Sequence, residues 1–188
     1  MKKLAIAALL AVSAFSASAA TELVVNGNFE TGTFAGWTKS GNLSLSDIVS
    51  NTTTSNHTFL WRSGATGSPA FISQLLNTSA GGTYTLAFDV YSAGTSSTNP
   101  AAVNFSANFG GNAVYSFTNT TLNWTHVVVN NLHATGSSTE LKFSSRNDPS
   151  FTRLDNISVQ AVPEPETYAM MLAGLGALGF IARRRKAA

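Results

Sequence analysis

Nine acidic residues, three histidines and no cysteine carry most of the reactive chemistry open to this chain of 188 residues. Without cysteine there are no disulfides, no thiolate nucleophile and no cysteine metal site. His57, His126 and His133 stand apart. No H-E-x-x-H or comparable spacing joins them, so each reads as a structural or surface histidine. Serines are numerous, but no G-x-S-x-G elbow presents one as a nucleophile. Nothing in the spacing of the carboxylates marks an acid/base pair for glycoside hydrolysis. The chain therefore reads as a non-enzyme. Aromatic rings and amides remain. Trp61, Tyr91 and Tyr115 could offer flat faces, and Asn104 and Asn108 could offer hydrogen bonds. Rings backed by amides on an accessible surface are what sugar binding requires. Ordinary packing or exposure is the competing reading of each residue.

These side chains must be positioned by strands. Tyr84, Leu86, Phe88 and Val90 alternate with Thr85, Ala87 and Asp89. The alternation puts Tyr91 and Asp89 on the face opposite the apolar one. Val103, Phe105, Ala107 and Phe109 alternate with Asn104, Ser106 and Asn108. Trp124, His126 and Val128 alternate with Thr125, Val127 and Val129, and Trp124 reads as core on the Val128 side. Leu141-Lys142-Phe143 and Ile157-Ser158-Val159 repeat the period of two that marks half-buried strands. Gly81-Gly82, Gly110-Gly111-Asn112 and Asn130-Asn131 read as turns between strands, Arg146-Asn147-Asp148-Pro149 as another, and residues 92–100 as a loop. No helical period is found between residues 21 and 161. Nine or ten short strands with glycine-rich turns predict an all-β domain, a jelly-roll β-sandwich over residues 21–161.

Both ends read as targeting segments. Met1-Lys2-Lys3 is basic, residues 4–15 are uncharged and apolar, and Ser16-Ala17-Ser18-Ala19-Ala20 is small throughout. That order is a secretory signal peptide over residues 1–20, the substrate of a signal peptidase. Residues 162–188 form the other segment. Val162-Pro163-Glu164-Pro165-Glu166 is rigid and acidic, residues 167–182 are an uncharged, mostly apolar run, and a basic tail occupies 183–188. An apolar run followed by a basic cluster reads as a transmembrane helix with its C-terminus held in the cytoplasm. Sixteen residues reach roughly 24 Å as a helix, against a hydrocarbon core of about 30 Å. A temporary anchor fits that length. Gly174-Leu175-Gly176-Ala177-Leu178-Gly179 matches G-x-G-x-x-G but lacks the strand and acidic residue that a dinucleotide site needs. The net charge of +2 belongs to the ends. Residues 21–166 hold five basic and all nine acidic residues, a net −4. That balance argues against a nucleic-acid partner.

The C-terminal arrangement resembles the PEP-CTERM sorting signal of Gram-negative bacteria. Pro163, Glu164 and Pro165 match its motif, and Arg183, Arg184 and Arg185 match its basic end. The resemblance implies a protein exported through the inner membrane, held there transiently by the helix and processed by an exosortase. It further implies release to the cell surface or an extracellular polysaccharide matrix.

The domain carries a second resemblance. Asn26-Gly27-Asn28-Phe29-Glu30-Thr31-Gly32 with Gly36-Trp37 opens it, and Leu154-Asp155-Asn156-Ile157-Ser158-Val159 closes it. The pair is similar to the first and last strands of carbohydrate-binding modules of the family 4/9 type and their galactose-binding-like relatives. The resemblance implies that Trp37 packs in the core. It also implies a structural calcium held by Glu30 and Asp155, with the Asn28 carbonyl as a third ligand. Calcium takes six to eight oxygens, which carboxylates and carbonyls supply. The alternative is that either carboxylate pairs with Arg153 or is solvated. The function expected is an exported surface or matrix protein whose sandwich contacts extracellular polysaccharide. A structural matrix protein with no sugar ligand is the alternative.

Overall fold

The computed structural model describes residues 21–50, 58–148, 150–163, 172 and 174–176. Ten strands are formed: β1 (Thr38–Gly41), β2 (Ser46–Ser50), β3 (Phe59–Ser63), β4 (Ala70–Asn77), β5 (Thr83–Ser92), β6 (Val103–Phe109), β7 (Asn112–Thr118), β8 (Leu122–His133), β9 (Ser138–Asn147) and β10 (Thr152–Ala161). They make two antiparallel sheets, β1-β4-β9-β6-β7 and β2-β3-β10-β5-β8. Apart from the β2–β3 and β6–β7 pairs, each strand is followed by one in the other sheet. The inner set, β3-β10-β5-β8 against β4-β9-β6-β7, is the eight-strand jelly roll, and β1 and β2 each extend one edge. The expected fold class is borne out.

The alternating pattern fixes the core. Leu86, Phe88, Val90, Leu154 and Val159 from one sheet meet Ile72, Phe105, Ala107, Leu141 and Phe143 from the other, all essentially inaccessible to water. Phe88 meets Phe143 edge-on with ring centroids 5.4 Å apart. Trp37 lies in the same core, 5.8 Å from Phe29 and 6.2 Å from Phe143. Such aromatic contacts stabilise by about 0.5–1.5 kcal/mol beyond the area they bury.

Several local expectations are corrected. Asn130-Asn131 does not end a strand. Both residues lie inside β8, where Asn131 takes φ 59 and the pairing with β5 slips between Tyr84 and Leu86. Asparagine tolerates the left-handed region, so one sequence signal serves a bulge as well as a turn. Arg146 and Asn147 belong to β9, with Asn147 fully buried and its amide donating to the Ala93 carbonyl. Only Asp148 begins the turn.

The first and last segments of the sandwich lie side by side. Glu22 bridges to Gln160, and its carboxylate accepts the Val24 N–H at 2.8 Å, the Val159 N–H at 2.9 Å and the Ser158 hydroxyl at 2.5 Å. Gly27 lies so close to β10 that a Cβ there would sit 2.0 Å from the Ile157 carbonyl oxygen. The expected signal peptide, the residues Glu164, Pro165 and Arg183 to Arg185, and His57 lie outside the described residues. Within the expected membrane segment, Leu172 and Gly174 to Gly176 are helical. Among the described residues no helix is long and apolar enough to cross a membrane.

Candidate functional site

The outer face of the β2-β3-β10-β5-β8 sheet brings together aromatic, basic and amide groups. β5 turns Leu86, Phe88 and Val90 inward and Asp89 and Tyr91 outward. Its neighbour β8 places His126 opposite Asp89. Trp124, two residues earlier, shares the His126 face because strand side chains repeat every second residue. The β5–β8 register slips between Val90 and Ser92, beside Trp124. The Tyr91 and Trp124 rings lie 5.8 Å apart, tilted by 44°. On the other side of β5, Arg153 of β10 pairs with Tyr91 and holds its guanidinium carbon 4.9 Å from the phenol ring centroid. Arg153, Tyr91 and Trp124 therefore form one row across three strands.

A polar cluster borders this row. His126 Nδ1 lies 2.6 Å from Asp89 Oδ1, and the Asn156 amide donates to Asp89 Oδ2 at 2.8 Å. A bulge aims Asn156. The β10–β5 register shifts between Asp155 and Ser158, and Asn156 takes φ 50. Bulges of this kind re-aim a side chain at the cost of one unpaired position. The His126 side chain is 62% exposed. With Nδ1 engaged by Asp89, Nε2 is the ring nitrogen placed to meet a hydroxyl. Further along the row, Arg62 is clamped by Asp47 through two bonds of 3.0 and 2.7 Å.

The five residues expected at a sugar site are not brought together. Trp61 is a correction. It is 1% exposed, lies in the core, and donates its indole N–H to the Ser46 hydroxyl at 2.9 Å, so it presents no face to a ligand. Tyr115 is a second. Its ring packs on Phe88 at 5.5 Å and on Phe105 at 6.3 Å, against the core, and burial raises the pKa of its phenol above the ordinary value. Asn104 and Asn108 do alternate outward on β6, but in the other sheet, away from Tyr91. Their amide groups donate to the Ala101 carbonyl at 2.8 Å and to the Ser106 hydroxyl at 3.2 Å. Tyr91 alone of the five lies in the aromatic row. Trp124, expected in the core, is its partner there. Arg153 pairs with neither Glu30 nor Asp155 but stacks on Tyr91. Trp124, Arg153, His126 and Asn156 were missed because cross-strand register, not spacing along the chain, joins them.

The expected calcium ligands are placed as follows. Glu30 Oε1 accepts the Phe59 N–H at 3.2 Å, at the start of β3. Asp155 follows Leu154, which pairs with Trp61, so it lies toward the same end of the β3–β10 pair. Asp155 is 1% exposed and its Oδ1 accepts the Asn156 N–H at 2.7 Å. Asn28 lines an open cleft of about 360 Å³ with Glu22, Asn26, Asn156 and Ser158. No group of three or more acidic or histidine side chains suited to a metal ion occurs among the described residues.

Comparisons with known proteins agree with this architecture. A PEP-CTERM protein-sorting motif matches residues 161–186. No curated protein matches the chain in sequence. Among solved structures, the carbohydrate-binding module TmCBM61, in complex with β-1,4-galactotriose, superposes with a TM-score of 0.60 at 18% identity, covering 76% of this chain and 100% of that one. The CBM22-1–GH10 modules of xylanase 10B from Clostridium thermocellum, complexed with xylohexaose, give 0.57 at 16% identity, covering 77% of this chain and 29% of that one. The K3 cleaved adhesin domain of Lys-gingipain from Porphyromonas gingivalis gives 0.56 at 16% identity, covering 76% and 99%. At such identities the likeness is one of fold. The chain thus carries a PEP-CTERM protein-sorting motif at residues 161–186 and a β-sandwich of the fold found in carbohydrate-binding modules.

Proposed function

We propose that this chain is an exported protein of a Gram-negative bacterium that contacts extracellular polysaccharide through the Tyr91–Trp124 face of its sandwich. A signal peptidase removes residues 1–20. The segment 167–182 anchors the chain in the inner membrane until an exosortase acts at the Pro163-Glu164-Pro165 motif, and the product reaches the cell surface or matrix. The match at residues 161–186 supports the sorting half of this reading.

The observation that carries the sugar half is the row of Arg153, Tyr91 and Trp124 beside the Asp89–His126–Asn156 cluster. Two neighbouring rings suit the apolar C–H face of a pyranose. The bordering polar groups suit its hydroxyls. The function is binding, without catalysis.

Structural calcium at the Glu30–Asp155 end of β3 and β10 is part of the same reading. Glu30 and Asp155, with the Asn28 carbonyl, would supply the all-oxygen donors that calcium prefers. Calcium would tie the opening loop to β10.

The test is retention of the purified full chain on a panel of polysaccharides, including the host's own matrix, with calcium and with a chelator. Selective retention lost in Tyr91→Ala is the expected result. A folded chain retained on none of them would establish instead a structural matrix protein without a sugar ligand.

A further inference from the structure

Arg153 differs from the other arginines of the sandwich. Arg62 is held by Asp47, and Arg146 is held by Asp148 at 2.8 and 2.5 Å. Arg153 makes no ion pair and no side-chain hydrogen bond among the described residues. Its described contact is with the Tyr91 ring, 4.9 Å from the guanidinium carbon. A guanidinium stays charged at every accessible pH and carries five N–H donors in a rigid fork. Here the fork lies beside the Tyr91–Trp124 pair, with no acceptor supplied by a described side chain. Asp89, outward on the neighbouring β5, is already engaged by His126 and Asn156.

We propose that the site takes an acidic sugar: a pyranose stacked on Tyr91 and Trp124 whose carboxylate is held bidentately by Arg153. This rests on the sugar-binding reading of the same face and names its ligand class as a polyuronate. The chemistry favours a carboxylate. Two parallel N–H···O bonds match guanidinium to carboxylate in shape and charge, and stacking on the ring holds the fork in place before the ligand arrives. A neutral sugar would use the rings but leave the arginine donors to water. Lys142 offers an internal control. It too lies over a single ring, Phe71 at 4.6 Å, but in the other sheet.

Affinity electrophoresis of the full chain through gels containing polygalacturonate, a neutral β-1,4-galactan or a sulfated galactan, at physiological salt, tests the assignment. The wild-type chain is expected to be retarded most by polygalacturonate. Arg153→Gln is expected to weaken that retardation roughly tenfold or more, the cost of one charge-assisted pair. Lys142→Gln, with the same change of charge, is expected to leave it unaltered. Arg153→Lys keeps the charge without the fork, and it is expected to fall between the wild type and Arg153→Gln. Thermal melting confirms that each variant is folded. Equal retardation by neutral and acidic polymers, unmoved by Arg153→Gln, would overturn the acidic-sugar assignment while leaving sugar binding intact. Equal losses in Arg153→Gln and Lys142→Gln would show diffuse charge attraction and overturn it as well. A preference for the sulfated polymer would overturn the carboxylate. No retardation of the folded wild-type chain by any polymer would remove the sugar-binding reading itself, and the inference with it.

Discussion

The indole N–H of Trp61 donates to the hydroxyl of Ser46 at 2.9 Å, inside the core and across the β2–β3 pair. An indole buried this deeply needs an acceptor, since an unsatisfied buried donor costs about 1–3 kcal/mol. Ser46→Ala is therefore expected to lower stability by about that amount in urea unfolding, and Trp61→Ala by about 3–5 kcal/mol. Neither change should alter polysaccharide retention by the protein that remains folded. A neutral Ser46→Ala would contradict the assigned role of this bond.

The contrast between Trp61 and Trp124 shows how far the sequence can be read. In β5 Tyr84, Leu86, Phe88 and Val90 share one face against Thr85, Ala87 and Asp89, so the inward and outward sets separate without ambiguity and Tyr91 falls on the outward face as expected. In β8, Trp124 and Val128 alternate with Val127 and Val129, and both faces look apolar. Period two identifies the two faces but not which one meets the other sheet. The structure turns Val127 inward and leaves Val128 49% exposed. The run Phe59-Leu60-Trp61 poses the same ambiguity, with all three apolar. The row of Arg153, Tyr91 and Trp124 depends on which strands are neighbours and in what register. Those relationships are set by the jelly-roll topology over long separations, and local pattern does not encode them.

Glu22 is a clasp between the opening and closing segments. Its carboxylate takes three hydrogen bonds, two of them to β10 across more than a hundred residues. Glu22→Ala is expected to lower stability by about 1–3 kcal/mol. Hydrogen exchange at the Val24 and Val159 amides should accelerate selectively. Unchanged protection at both amides would show that the backbone bridge suffices without the side chain.

Asp148 gives the sandwich an acid dependence of known sign. Hydrogen bonds from Arg146 hold its pKa below the ordinary value, helped by the Gly67 N–H at 3.2 Å. A carboxylate with a depressed folded pKa stabilises the protein above its unfolded value of about 3.9. That contribution disappears as pH falls through the lower, folded value. Urea midpoints measured from neutral pH downward should therefore drop more steeply below about pH 4 in the wild type than in Asp148→Asn. Parallel profiles would assign the acid sensitivity elsewhere.

The C-terminal motif makes a prediction separate from the sandwich. Replacing Pro163, Glu164 and Pro165 with alanine is expected to leave the protein in the inner membrane or misprocessed, measured by fractionation and the mass of the mature chain. Normal release of that variant would contradict exosortase sorting through the motif at residues 161–186.

The central claim is that sugar is bound on the outer face of the β2-β3-β10-β5-β8 sheet and not on the opposite one. The direct measurement compares retention of the full chain on its best polysaccharide in two variants, Trp124→Ala and the double Asn104→Ala/Asn108→Ala. Stacking on an aromatic side chain is worth about 0.5–1.5 kcal/mol or more. Retention is predicted to fall several-fold in Trp124→Ala and to stay at the wild-type level in the double variant. Loss confined to the Asn104/Asn108 variant would place the sugar on the other sheet and contradict the account.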